Sequence, residues 1–340
     1  MADLGGQRVG TAVTGAELGA RLRARDTSAA PAALNLLEST APADREQSRA
    51  LLAEVSPATL GGEAPGHVVG VTGPPGAGKS TLLSALVRHL REAQSSVAVL
   101  AVDPSSRRSG GALLGDRARI EFDPADREVF IRSTAAGQRL GGIARGTRTA
   151  AQALAAAFDF VIIETVGVGQ AETEVAEVAD TVALVVQPGS GDVLQFLKSG
   201  IMEIPDVLVV TKADLGQLAL TTRRDLSAAL RSLGVTRERD PVLAKVVAVS
   251  SLPPTSGIDE LVQRLRRHWL ALTRDDGAEL RAHRAHVRRA GALTDFALEH
   301  GERGLHALGG RRAAERWLAQ QDPALDEATL TGMLEERMPG

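Results

Sequence analysis

Residues 68–81 read VVGVTGPPGAGKST, an apolar run that breaks into Gly73-Pro74-Pro75-Gly76-Ala77-Gly78-Lys79-Ser80-Thr81. The run predicts a short buried strand through Thr72, and the stretch 79–91 after the glycines predicts a helix. The nonapeptide fits G-x-x-x-x-G-K-[ST], and chemistry asks for each part of it. Glycines let backbone N–H groups turn inward around phosphates, while a helix N-terminus adds positive potential. Lys79 can reach the β- and γ-phosphates, and the Ser80 hydroxyl can ligate magnesium. A chance glycine–proline turn would give the same letters, but not the strand before them and the helix after. The loop is read as a phosphate site.

Outward from this loop, similar runs recur at 97–102 (VAVLAV), 128–132 (EVFIR), 159–164 (DFVIIE), 181–187 (TVALVVQ), 206–211 (DVLVVT) and 242–249 (VLAKVVAV). Helix-length segments separate most of them. Continuous rather than alternating Val, Ile and Leu predicts strands buried on both faces, hence a mostly parallel sheet. The expected fold is α/β: a doubly wound P-loop NTPase core with N-terminal and C-terminal helical extensions. Residues 1–65 are expected to form an N-terminal helical extension, with Leu34, Leu37, Leu51, Leu52 and Val55 at helical spacing, broken by Pro31, Pro42 and Pro57. The core is placed at 66–275, and 276–340 is read as a C-terminal arm with helices near 279–300, 311–320 and 325–336.

Composition narrows the function. The 340 residues carry 39 basic and 42 acidic side chains, for a net charge of −3, and include no Cys. Without Cys there are no disulfides, zinc ribbons, iron–sulfur ligands or thiol nucleophiles. Near-neutral charge with 2% aromatic residues argues against nucleic-acid binding, which favours basic stripes and stacking platforms. No run approaches 18 apolar residues, so no membrane-spanning helix is expected. The first 30 residues lack the apolar core of a secretory signal, and a cytoplasmic location is expected.

The base is read from Thr211-Lys212-Ala213-Asp214, which closes the run 206–211 and resembles the guanine signature [NT]-K-x-D. An Asp here can accept from both guanine N1–H and the exocyclic amine, a pair adenine does not offer. The Lys212 stem would lie along the base plane. Glu164 ends the run 159–164, where phosphate-loop enzymes keep a carboxylate that orients magnesium or its waters, and Gly167 can offer an N–H to the γ-phosphate. Asp103 and Asp116 are further acidic candidates, with a turn or helix-cap role as the alternative. Lys79, Asp103, Asp116 and Glu164 form the expected catalytic set; Ser80, Asp103, Asp116 and Glu164 form the expected metal set. Gln170 lies three residues beyond Gly167 and is not assigned to position water; Arg107, Arg108 and Arg117 could supply charge to the transition state, with a solvated loop arginine as the favoured reading of each.

VTGPPGAGKST, VAVLAVDPSSRRSGGALLGDRARI, LGGIARGTR, FDFVIIETVGVGQAE and DVLVVTKAD occur in this order along the chain. Together they resemble the MeaB/ArgK-type GTPases associated with methylmalonyl-CoA mutase, from about residue 34 into the C-terminal helices. The resemblance implies a homodimeric GTPase that binds GTP and GDP with magnesium. It implies a chaperone for an adenosylcobalamin-dependent acyl-CoA mutase, gating cofactor delivery from an adenosyltransferase and protecting or reactivating the mutase. It adds Ser250 and Ser251 as the last guanine-contact loop, and Gln195 and Lys198 in a segment that signals to the mutase. Three departures stand out: Thr211 replaces the usual Asn, residues 134–142 carry one extra residue, and Pro253-Pro254 follow Ser251. A metal-delivery GTPase shares the fold but needs soft or imidazole ligands, and the close pair His283-x-x-His286 is read as surface. A kinase is the other rival, disfavoured by the guanine motif. The expected reaction is in-line attack of water on the γ-phosphate, slow until a partner binds.

Overall fold

The structure is a computed structural model, and it describes residues 13–39, 41–103, 120–135, 143–165, 171–189, 205–232 and 246–338. All seven expected runs are strands: β1 (His67–Thr72), β2 (Val97–Asp103), β3 (Val129–Ala135), β4 (Phe160–Glu164), β5 (Thr181–Val186), β6 (Val207–Val210) and β7 (Val246–Ala248). They form one sheet in the order β3-β2-β4-β1-β5-β6-β7, and every pairing is parallel. Parallel neighbours need crossovers, and helices supply them on both faces.

Side-chain alternation divides the core in two. Val68, Ala98, Leu100, Val161 and Ile163 face α6 (Arg145–Leu154) and the N-terminal helices α1 (Gly15–Arg23), α2 (Ala30–Glu38) and α3 (Pro42–Glu54). Leu18, Leu22, Leu34 and Leu51 are buried there with Ala150 and Leu154, so the N-terminal residues share the core of the sheet. A short helix, α4 (Pro57–Leu60), leads into β1. On the other face, Val69, Val71, Val99, Ile162 and Val185 pack on α5 (Lys79–Glu92) and α9 (Ile258–Leu272). Along the chain between α6 and α9 come α7 (Ala171–Ala176), whose Val175 joins the first core, and α8 (Gln217–Ser232), whose Ala219 and Leu226 pack on Leu184, Val186 and Leu208.

The C-terminal residues form α10 (Arg274–Ala307), α11 (Arg311–Leu318) and α12 (Glu327–Glu336). The backbone of α10 leaves helical geometry at Asp275, Asp276 and Gly277 and again at Gly301. Its long central stretch, 278–300, therefore lies close to the helix expected at 279–300. Phe296, Leu293, Leu305, Leu318, Leu330 and Leu334 build a core of their own. Buried arginines tie these helices to the sheet. Arg284 donates to both oxygens of Asp180, at 2.9 and 2.7 Å, and to the carbonyls of Ala64 and Gly66. Arg288 pairs with Glu63, and Arg148 of α6 grips Glu327 and Asp295. At Gly291 a Cβ would sit 2.3 Å from a Glu327 carboxylate oxygen, so only glycine leaves room for that grip. No helix among the described residues is long and apolar enough to cross a membrane.

Candidate nucleotide site

The site is built where the carboxyl ends of β1, β4 and β6 meet, the position at which open α/β sheets take ligands. The loop after β1 needs its glycines: Gly73, Gly76 and Gly78 have φ of 144°, 77° and 86°. Gly73 also passes so close to β5 that a Cβ would meet the Val185 carbonyl oxygen at 2.1 Å. The turn is closed by Ala77 N–H donating to Pro74 O at 3.2 Å, and α5 begins directly after it at Lys79. Lys79 is buried, and its ammonium donates to the carbonyls of Gly73 and Pro74 at 2.6 and 3.1 Å. Its charge therefore lies inside the concavity, ringed by the loop Gly73 to Thr81.

Glu164 ends β4, buried, and its carboxylate accepts from the Ser80 hydroxyl at 3.1 Å. Register places Asp103 on the neighbouring strand, with Ala101 of β2 opposite Glu164 and the backbone of Asp103 two residues further on. The Asp103 side chain, Asp116, Gly167, Gln195 and Lys198 lie outside the described residues. Ser80 and Glu164 offer hard oxygen donors at contact distance from each other. The nearby strand ends add the hydroxyls of Thr72 and Thr165, buried without a partner among the described residues. Such a set fits a hydrated magnesium ion better than a soft metal.

The base motif stands on β6 and β7. Thr211, in place of the usual Asn, is buried, and its hydroxyl oxygen lies 2.6 Å from the carbonyl of Ala77 and 3.1 Å from that of Val186. The substituted residue thus still ties the base motif to the phosphate loop. Lys212 takes a left-handed backbone (φ 52°, ψ 43°), and its ammonium donates to Gly76 O at 3.1 Å and to the Gln187 carboxamide oxygen at 2.6 Å. Asp214 is exposed and accepts from Ser250 Oγ at 3.1 Å. Ser251 has a buried hydroxyl without a partner among the described residues. The Pro253-Pro254 bond is cis, in a loop closed by the Ser250–Ser256 bridge.

One residue escaped the sequence reading. Gln187 carried no signal beyond closing the expected strand 181–187. Ser250 was placed through the family loop, but its bond to Asp214 follows only from β7 lying beside β6. Of the His pair, His286 is exposed as expected, whereas His283 is half-buried and donates to the Ala179 carbonyl at 2.9 Å.

A parallel sheet, a glycine loop with an inward lysine, and a base motif tied to that loop define a P-loop nucleoside triphosphatase of the GTPase class. Residues 30–300 match the family model described as methylmalonyl Co-A mutase-associated GTPase MeaB, and the chain belongs to that family. It is 42% identical over 259 residues, 75% of each chain, to a probable GTPase of Mycobacterium tuberculosis. It is 38% identical over 241 residues to the mouse methylmalonic aciduria type A homolog, mitochondrial, spanning 69% of this chain and 58% of that protein. A crystal structure described as an LAO/AO transport system kinase superposes with TM-score 0.63 at 29% identity, covering 95% of this chain and 96% of that one.

Proposed function

We propose that this GTPase is a chaperone for an adenosylcobalamin-dependent acyl-CoA mutase such as methylmalonyl-CoA mutase, gating cofactor delivery and protecting or reactivating the mutase. The observation that carries the reading is the family match over residues 30–300, whose description names that mutase. Within it, Lys79 would leave the loop carbonyls for the β- and γ-phosphates, while the N–H groups of residues 73–81 hold phosphate oxygens. Asp214, oriented by Ser250, would read the guanine edge, and the Lys212 stem would cover one face of the base. Ser80, Glu164, Asp103 and Asp116 would hold magnesium, which supplies charge neutralisation between the phosphates when bound. Water would attack the γ-phosphorus in line as the bond to the β–γ bridging oxygen breaks, giving GDP and inorganic phosphate, with Gly167 N–H on the phosphoryl group in transfer. Gln195 and Lys198 would report the bound nucleotide to the mutase, and a homodimer in the cytoplasm, receiving cofactor from an adenosyltransferase, completes the reading.

The test is binding of purified methylmalonyl-CoA mutase to this protein loaded with GDP or with a non-hydrolysable GTP analogue. The two forms are expected to differ in affinity, because γ-phosphate contacts are what distinguish them. Equal affinity in both states, or no binding in either, would sink the chaperone reading. The resemblance to a structure described as a kinase gives a second reading, phosphoryl transfer to an amino acid or protein. Labelled γ-phosphate that appears on such an acceptor rather than as free phosphate would put that reading in its place.

A further inference from the structure

Lys212 is half-exposed, long and flexible, yet the guanine reading asks its stem to stay flat beside the base. A lysine stem carries large rotamer freedom, so something must hold its far end. Two oxygens do so here: Gly76 O at 3.1 Å and Gln187 Oε1 at 2.6 Å. They differ in what stands behind them. Gly76 belongs to the phosphate loop itself, at φ 77°. Gln187 directly follows β5, which is buried along its whole length and bonded to β1 on one side and β6 on the other. The shorter, charge-assisted bond therefore runs to the rigid sheet, and the longer one to the loop.

The Thr211 substitution adds weight to this arrangement. An Asn would bring two N–H donors, whereas a threonine hydroxyl has a single proton to share between Ala77 O and Val186 O. The base motif thus has one side-chain donor fewer to divide between the phosphate loop and β5, and Gln187 supplies a further hold on the motif from the sheet.

We propose that Gln187 is a positioning residue of the guanine site: its carboxamide oxygen anchors the Lys212 ammonium so that the lysine stem is pre-set against the base. The proposal rests on the guanine reading of Lys212 and Asp214. Gln187 acts through Lys212, a residue of the base motif, so its effect is expected on nucleotide affinity and not on the bond-breaking step. Pre-setting the stem removes an ordering cost from binding, and that benefit appears chiefly as slower release of nucleotide.

Titration calorimetry with GDP and ADP on the full chain, beside single-turnover hydrolysis at saturating GTP, tests this with Gln187→Leu and Gln187→Glu. Leucine keeps the size and removes the acceptor; glutamate keeps an acceptor oxygen and adds charge. Gln187→Leu is expected to weaken GDP roughly five- to tenfold, with the single-turnover rate within about twofold of wild type. Gln187→Glu is expected to bind GDP at least as tightly as wild type, and ADP to bind weakly to all three proteins. Wild-type affinity in Gln187→Leu would overturn the proposal while leaving the guanine reading intact. Equal losses in both variants, with a lowered unfolding temperature of the nucleotide-free protein, would reduce Gln187 to a structural role and overturn it too. A wild-type protein that binds ADP as well as GDP would bring down the guanine reading and this inference together.

Discussion

The two ends of one sheet use polar groups in opposite ways. At the amino ends, Asp180 takes the Val68 N–H at 2.8 Å and two bonds from Arg284. His67 Nε2 meets Thr181 Oγ1 at 2.6 Å, Thr181 meets His268 at 2.7 Å, and His268 reaches Asp206 at 3.4 Å. Burial pushes His67 down to about 3, with Asp180 opposing the drop and His268 and Arg284 adding to it, so its ring is neutral at physiological pH. Burial alone would raise the Asp180 carboxyl, but the Arg284 guanidinium and the Val68 N–H hold it below the ordinary range. Every charge there is matched inside the protein. At the carboxyl ends, Lys79 leans on loop carbonyls, and Asp214 stands exposed. Those contacts can be exchanged for phosphate and base. A matched buried charge stabilises the fold, whereas a charge held by loop carbonyls can change partners, and that lets a ligand bind.

The comparison breaks most visibly at Arg284. Methionine at that position would leave Asp180 buried without its cation, at a cost of about 3–5 kcal/mol. We expect a large drop in unfolding temperature by calorimetry, with nucleotide affinity unchanged in whatever fraction stays folded. An Arg284→Met protein of wild-type stability would show that the amino end is not a structural network. Lys79→Ala at the other end should do the reverse. Removing a preorganised cation from a developing phosphoryl charge is expected to lower GTP hydrolysis by roughly a hundred- to a thousandfold. Its unfolding temperature without nucleotide should stay close to wild type. Full activity in Lys79→Ala would remove the phosphate reading itself.

The carboxyl end was legible in the sequence because its information is local. The phosphate loop is nine consecutive residues with a strand before and a helix after, and the strand runs are continuous because both faces of the sheet are covered. The amino end was not legible. Arg284 and Arg288 sit in RAHRAHVRR, residues 281–289, which reads like a solvated helix face. Their partners, Asp180 and Glu63, lie 104 and 225 residues away along the chain. Only the tertiary fold pairs them, and nothing in periodicity distinguishes a buried arginine from an exposed one. Thr211 illustrates a middle case. The departure from Asn was visible in the letters, but its meaning depends on the Ala77 carbonyl 2.6 Å away, across the loop.

Asp295 sharpens the contrast from within the buried side, because there the matching is incomplete. Its side chain is buried between α6, which brings Arg148 and Arg145, and α12, which brings Glu327. Burial raises its carboxyl, the neighbouring Glu327 charge raises it further, and Arg148 and Arg145 lower it only in part. The outcome is a value of about 7. In the unfolded chain the same group titrates near the ordinary carboxylate value of roughly 4. Between those values the folded protein holds a proton that the unfolded chain has released, so this contribution to stability is complete below about pH 4 and fades as pH rises to 7. Asp295→Asn fixes the protonated charge state and should not lose it. From pH 6 to pH 7.5 the wild type is therefore expected to lose about 1 kcal/mol relative to Asp295→Asn in urea unfolding. Parallel stability curves for the two proteins would mean that Arg148 and Arg145 keep the carboxylate ionised throughout, and that this network is as fully matched as the one at Asp180.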